Sequence, residues 1–305
     1  MPTVSGAGRV TAVAAVNEER FLMGTSEGKV FTVEVKPGKS PAFTMFTSVP
    51  APVRHLALSG DSSTAAVSDA EGLLRIQRLQ GGTVHDFHVD LLEGPVTLDR
   101  SGTIFAHGSF TLTLTDIRTR KPRTLPAKPV PYGGRSAYSD WSIADDGRVL
   151  AAGDEGIETW YLDQPAKASQ PISCACPAAS VTIGRDGRYA AYGTVDGHAV
   201  ALDLGKRTVV GDKTVSPRTD DFVGTVTPFG SGNSIAAGTS TPGRVVVWDA
   251  LEHDILWDHH FPQHKIAEVS AVPGSEALLV QTNRFEDLGN EPFNTVRPWL
   301  VRPRE

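Results

Sequence analysis

Seven short turn clusters recur along this chain at a near-constant interval, and that interval constrains the fold more than any other feature. They centre on Glu18, Asp61, Gly102, Gly147, Gly187, Ser231 and Gly274. The spacing is about 40–45 residues, the length of one four-stranded blade of a radial repeat. Each cluster follows an apolar run and precedes one rich in small residues. Ala151-Ala152-Gly153, Ala190-Ala191-Tyr192-Gly193 and Ala236-Ala237-Gly238 are the clearest small runs. A second turn and a third apolar run then follow. Asp146-Gly147 and Asp186-Gly187 are hairpin dipeptides, in which glycine supplies the positive φ that a tight turn needs. The apolar runs have period two or are continuous, and turn signals arrive every 8–12 residues, so the windows read as strands and not as helices.

The stretch Asn233 to Asp249 shows one such hairpin in full. Ile235-Ala236-Ala237 and Val245-Val246-Val247-Trp248 flank a Gly/Ser/Thr/Pro cluster, the pattern of two antiparallel strands and a tight loop. The second run closes on Trp248-Asp249. With that dipeptide and the recurring period, nearly the whole chain resembles a WD40-like repeat β-propeller with degenerate repeats. Tyr161-Leu162-Asp163 and Ala201-Leu202-Asp203 are weaker relatives of the dipeptide, and the Gly-His pair that opens many such repeats is missing.

The resemblance implies an all-β, seven-bladed propeller of four-stranded antiparallel blades, with six or eight blades as the alternatives. A single domain over 1–305 is expected, with blades near 9–49, 53–90, 94–126, 138–174, 178–211, 221–260 and 266–301. The last blade lacks an outer strand of its own. The leftover segment 2–6, carrying Thr3-Val4-Ser5, is expected to supply it and so close the ring and remove an open edge.

Composition narrows the function. The formal net charge of −6 gives no global basic field for nucleic acid. The first residues have neither a basic start nor an apolar core, no apolar run approaches the length of a membrane span, and two cysteines make no disulfide framework. A soluble cytoplasmic protein is expected.

Catalytic signals are absent from the sequence. It contains no Gly-x-Ser-x-Gly elbow, no complete phosphate-binding loop and no His-Glu-x-x-His pair. Gly211-Asp-Lys-Thr214 lacks the earlier glycine that a phosphate loop requires. Cys174 and Cys176 are one residue apart, whereas zinc knuckles and redox motifs use two. His259, His260 and His264 cluster around Asp258 and Pro262 and read as a polar loop between the last two blades. Glu286, Asp287 and Glu291 lack the alternating oxygen ligands of a calcium loop. No cofactor, no metal site and no enzymatic activity are expected.

Two segments interrupt the repeat. Ile117 to Ala137 carries Arg118, Arg120, Lys121, Arg123, Lys128 and Arg135 with four prolines and no acid; Asn283 to Phe293 is inserted before the last strand. Long loops on a rigid scaffold are where binding usually resides. The expected function is therefore a non-catalytic protein–protein interaction scaffold that binds a partner protein through its loop faces. Arg123, Lys128, Tyr132 and Arg135, with Arg284, Phe285 and Asp287, are the expected contact residues. The first alternative is a small-molecule-binding or hydrolytic propeller with Asp69, Asp154, Asp196 and His107 around the channel mouth. The second is nucleic-acid binding through the basic 118–135 segment, where Tyr132 and Tyr138 are the only nearby stacking residues.

Overall fold

Alternating side chains of most middle strands of the blades enter two different apolar layers, which is why the sequence shows continuous apolar runs instead of one-sided alternation. In the computed structural model, residues 8–89, 95–108, 111–125, 139–153, 156–163, 172, 177–184, 187–216, 221–230, 233–239, 243–284 and 295–303 are described. They form seven antiparallel sheets and no helix.

Blade 1 comprises β1 (Val10–Ala15), β2 (Arg20–Thr25), β3 (Lys29–Glu34) and β4 (Ala42–Ser48). Blade 2 comprises β5 (Val53–Leu58), β6 (Thr64–Asp69), β7 (Leu73–Arg78) and β8 (Val84–His88). Blade 3 has β9 (Thr97–Leu98), β10 (Ile104–Gly108), β11 (Leu112–Asp116) and β12 (Pro122–Thr124). Blade 4 has β13 (Asp140–Ile143), β14 (Arg148–Gly153) and β15 (Gly156–Tyr161), to which Ile172 adds a single bridge at Ile157. Blade 5 has β16 (Ala178–Ile183), β17 (Tyr189–Thr194), β18 (His198–Asp203) and β19 (Thr208–Thr214). Blade 6 has β20 (Val223–Phe229), β21 (Ser234–Thr239), β22 (Arg244–Asp249) and β23 (Ile255–His260). Blade 7 has β24 (His264–Ala271), β25 (Leu278–Arg284) and β26 (Arg297–Val301). Each sheet runs in chain order from an inner to an outer strand.

The core is seven separate layers, one between each pair of neighbouring blades. In β21 and β22, Ile235, Ala237, Val246 and Trp248 face blade 5, whereas Ala236, Val245 and Val247 face blade 7. Trp248 is fully buried and packs on Ala191, Ala199 and Ala201 of blade 5. Small residues there make room for the indole. Trp141 and Trp160 fill the layer between blades 3 and 4 in the same way.

The small-residue run has a second purpose. Gly24, Gly193 and Gly238 stand near the ends of β2, β17 and β21, each followed by a threonine. A Cβ on Gly24 would lie 2.4 Å from Val53 Cγ1, and one on Gly193 2.3 Å from the Val223 carbonyl oxygen. Only glycine lets the next blade's inner strand come this close. The threonines close the following turn: Thr25 Oγ1 accepts from Lys29 N at 3.2 Å, and Thr194 Oγ1 from His198 N at 3.0 Å.

The ring closes between blades 7 and 1. Val13, Phe31 and Val33 share a layer with Val272, Leu279 and Val296. Gln281 reaches from β25 to β1, donating from Nε2 to the Val13 carbonyl at 3.0 Å and accepting from Val13 N at 3.1 Å. Val296 N donates to Val10 O at 2.8 Å, repeating the bond from Gly243 N to His264 O between blades 6 and 7. The outer strand expected from Thr3-Val4-Ser5 lies outside the described residues.

Candidate functional site

The described half of the basic segment is an exposed rim on blade 3. Asp116 accepts from Thr119 N at 2.6 Å and Thr119 Oγ1 at 2.9 Å, and Arg120 takes the left-handed conformation, φ 57°. These bonds hold the Asp116 carboxyl below the usual range and fix the β11–β12 turn. Arg118, Arg120, Lys121 and Arg123 all emerge from it exposed. The Arg120 guanidinium stands 4.9 Å from the centre of the Phe87 ring on blade 2, a cation–π contact that ties the rim to its neighbour.

Of the expected contact residues, Arg123 lies in β12 opposite Leu114, and Arg284 ends β25 opposite His264. Their blades, 3 and 7, are not neighbours in the ring, so these two do not form one patch. Lys128, Tyr132, Arg135, Phe285 and Asp287 lie outside the described residues.

The residues expected around the channel mouth have other tasks. Asp69 is fully buried and builds its own turn, accepting from Glu71 N, Leu73 N and Ala51 N at 2.9–3.4 Å. Asp196 accepts from the Thr194 hydroxyl. His107 lies within β10, not after it, with its ring 5.3 Å from that of Phe105; burial lowers its pKa. None of these three lines the channel. Asp154 lies outside the described residues. The histidines expected in a polar loop are in strands instead. His259 stacks on Trp257 at 5.2 Å and meets Phe261 edge-on at 4.8 Å, while His264 stands edge-on to Trp299. Gly211 to Thr214 forms part of the outer strand β19.

The channel itself is lined by the seven inner strands and encloses about 810 Å³. Its charged and titratable lining residues are Arg54, His55, Asp140 and Glu268. Asp140 Oδ1 accepts from Trp141 N and Oδ2 from Val181 N, both at 2.9 Å. Glu268 Oε2 accepts from Gln281 Nε2 at 2.7 Å. Loss of bulk water pushes both carboxyls up to about 7, and the Asp140 charge adds to the rise at Glu268. Glu268 is exposed to the space of the channel, which the seven inner strands ring and which is open to solvent. Burial, with Arg54 beside it, lowers the His55 pKa to about 4, so the ring is neutral at pH 7. The only sequence signal for these acids was their interruption of apolar inner-strand runs, before Trp141 and between Ile266 and Val269.

Among the described residues no three His, Cys, Asp or Glu side chains converge on a metal-sized site, and no helix is long and apolar enough to cross a membrane. No protein-family model matches the chain, and no curated protein matches its sequence. Solved structures do. The β-propeller domain of Cps50 (Swd1) from Myceliophteria thermophila is similar over 96% of this chain and 98% of that one, with a TM-score of 0.73 and 13% identity. That likeness shows the fold, a seven-bladed β-propeller.

Proposed function

We propose that this propeller is a non-catalytic interaction platform that presents the basic rim of blade 3 to an acidic segment of a partner protein. The observation that carries the reading is the rim: four exposed cations, Arg118, Arg120, Lys121 and Arg123, on a turn fixed by Asp116. They stand out against a chain whose formal net charge is −6. A local field opposed to the global one selects where an acidic partner lands and speeds its arrival more than it adds affinity. The sequence carries the same charge onward through Lys128 and Arg135. Tyr132, and the inserted loop with Arg284, Phe285 and Asp287, are assigned to the same partner-binding role. The platform is placed in the cytoplasm, which cell fractionation checks.

The test is a fourfold reversal, Arg118→Glu, Arg120→Glu, Lys121→Glu and Arg123→Glu, with capture of partners from native lysate at two salt concentrations. The exposed positions predict a melt that stays cooperative and is lowered only by loss of the Arg120–Phe87 contact, together with loss of a stoichiometric protein partner. Recovery of the same partner at the same yield would retire the rim. RNA that elutes at high salt, in place of a protein, would move the assignment to phosphate binding.

A further inference from the structure

The rim of blade 3 belongs to a set of charged turns that share one face of the ring. Successive turns of an antiparallel meander alternate between the two ends of its strands. The first and third turns of every blade therefore lie on one face. The sign of the charge on that face changes from blade to blade. On blade 3 the β11–β12 turn presents Arg118, Arg120 and Lys121. On blade 6, three blades further round, the β22–β23 turn presents Glu252 and Asp254. Blade 4 presents Asp146 and Asp163, with Asp145 half-buried beside them, and blade 5 presents Arg188, Lys206 and Arg207. The same face carries apolar surface. Val35, Val84, Tyr161, Val209, Leu251 and Ile255 are all exposed in or beside third turns. They are six of the eleven large apolar side chains exposed among the described residues, so exposed apolar surface is concentrated there. Apolar groups rimmed by charge mark contact surfaces.

We propose that this face is the contact between two copies of the chain, stacked face to face. The twofold axis lies in the contact plane and runs between blades 4 and 5 and through blade 1. This rests on the reading of the rim as a site for an acidic segment, and it names that segment: the β22–β23 turn of the second copy. Such an axis lays blade 3 on blade 6, blade 4 on blade 5 and blade 2 on blade 7, and each contact is made twice. The cations of blade 3 then meet Glu252 and Asp254, and the acids of blade 4 meet the cations of blade 5. The exposed Arg78 of blade 2 meets the exposed Glu276 of blade 7. Leu251 and Ile255, on either side of the two acids, supply apolar contact at the same place. Moving the axis by half a blade either way lays blade 3 on blade 5 or blade 4 on blade 6, which sets like charge against like and is repelled. The pattern thus selects one orientation. The blade 3–blade 6 contact is the stronger of the two. Glu252, Asp254 and Lys121 have no ion-pair partner among the described residues, whereas Asp145, Asp146 and Lys206 already stand beside Arg100, Arg148 and Asp203.

Sedimentation equilibrium of the purified chain tests this. At about 100 μM chain and about 0.05 M salt, the wild type should show twice the chain mass of 32.5 kDa. Raising the salt to about 0.5 M should weaken the association about tenfold, because exposed charges are screened. A rim variant, Arg118→Glu with Arg120→Glu and Lys121→Glu, should be monomeric by itself. So should a turn variant, Glu252→Lys with Asp254→Lys. Mixed in equal amounts the two should associate again, because each reversed rim then faces a reversed turn and each native rim a native turn. The chain that carries all five changes should dimerise as the wild type does. A monomeric wild type, a dimer indifferent to salt, a dimer that either variant leaves intact, or a mixture that stays monomeric would overturn the proposal. If one variant's thermal melt loses cooperativity, the wild-type salt series and the other variant decide. The rim reading fails by a different result, recovery of the same lysate partner by the fourfold reversal. A monomeric wild type whose rim still captures another acidic protein ends the dimer and keeps the rim.

Discussion

Blades 4 to 7, continuing into blade 1, are joined along their inner strands by side chains that grip the next blade's backbone. Ser139 Oγ donates to Ala178 O, Ser142 Oγ accepts from Ile183 N, and Asp140 accepts from Val181 N. Ser180 Oγ donates to Val223 O, Thr225 Oγ1 accepts from Val269 N, and Gln281 clasps Val13. Between blades 2, 3 and 4 the described junctions combine a backbone bond, Asp61 N to Arg100 O at 2.9 Å, with size and exposed cations. Phe105 meets Phe87 edge-on at 4.9 Å, Trp141 and Trp160 fill the next layer, and Arg100 stands 3.6 Å from Asp145. One ring is thus held in two ways. Directional bonds fix the distance between backbones and put polar groups on the channel wall. Apolar bulk fixes only volume, and it leaves the rim free to carry charge.

Four measurements bear on that contrast. The largest effect is expected where the two sides agree. Trp248→Ala in the bonded half and Phe105→Ala in the bulk-packed half should each cost about 3–5 kcal/mol in chemical denaturation, because both empty a closed layer. A small loss at Phe105 would show that blade 3 relaxes into the space, and the contrast would then be sharper than drawn. Gln281→Ala should cost roughly 2 kcal/mol, since it leaves the N–H and carbonyl of Val13 unmet in a buried place.

The third measurement is the pH profile of stability. The folded-state pKa of Asp140 and of Glu268 is raised to about 7. The native state therefore holds more protons than the unfolded chain between about pH 4 and 7, and stability should fall as pH rises through that window. Glu268→Gln should flatten the slope. Below that window the sign reverses. Asp61, Asp86 and Asp258 are held low, the last two by bidentate pairing with Arg75 and Arg244, so stability is lost as they protonate. The smallest effect is expected at Arg100→Ala, below about 1 kcal/mol, because the guanidinium is largely solvated.

The architecture was legible in the sequence because its cause is local. Turn residues such as Gly147 and Gly187, both at positive φ, are required wherever a hairpin forms. Small-residue runs such as Ala151-Ala152-Gly153 and Ala236-Ala237-Gly238 let neighbouring sheets stack closely. The candidate site was legible only in part. Arg118, Arg120, Lys121 and Arg123 declare themselves as a run of like charge. Asp140 and Glu268 do not, because facing a channel is a property of the closed ring and not of the strand that carries the residue. His259 misled for a related reason. Beside Asp258 and ahead of Pro262 it reads as loop, but Trp257 and Phe261 at alternate positions give it stacking partners that only an extended strand aligns.

Every apolar layer of this ring belongs half to one blade and half to the next, which bears on how the number of repeats can change by descent. Gene duplication and loss act on whole repeats, but here a repeat is not a unit of packing. Deleting the sequence of blade 6 would press Ala191, Ala199 and Ala201, a surface cut to receive the Trp248 indole, against Ile266 and Val269 of blade 7. Two half-layers would be mismatched, and all the remaining blades would have to turn to close the gap. The copy number is thus guarded by the fit between neighbours, and each blade can drift in sequence only as far as the blade beside it drifts to match.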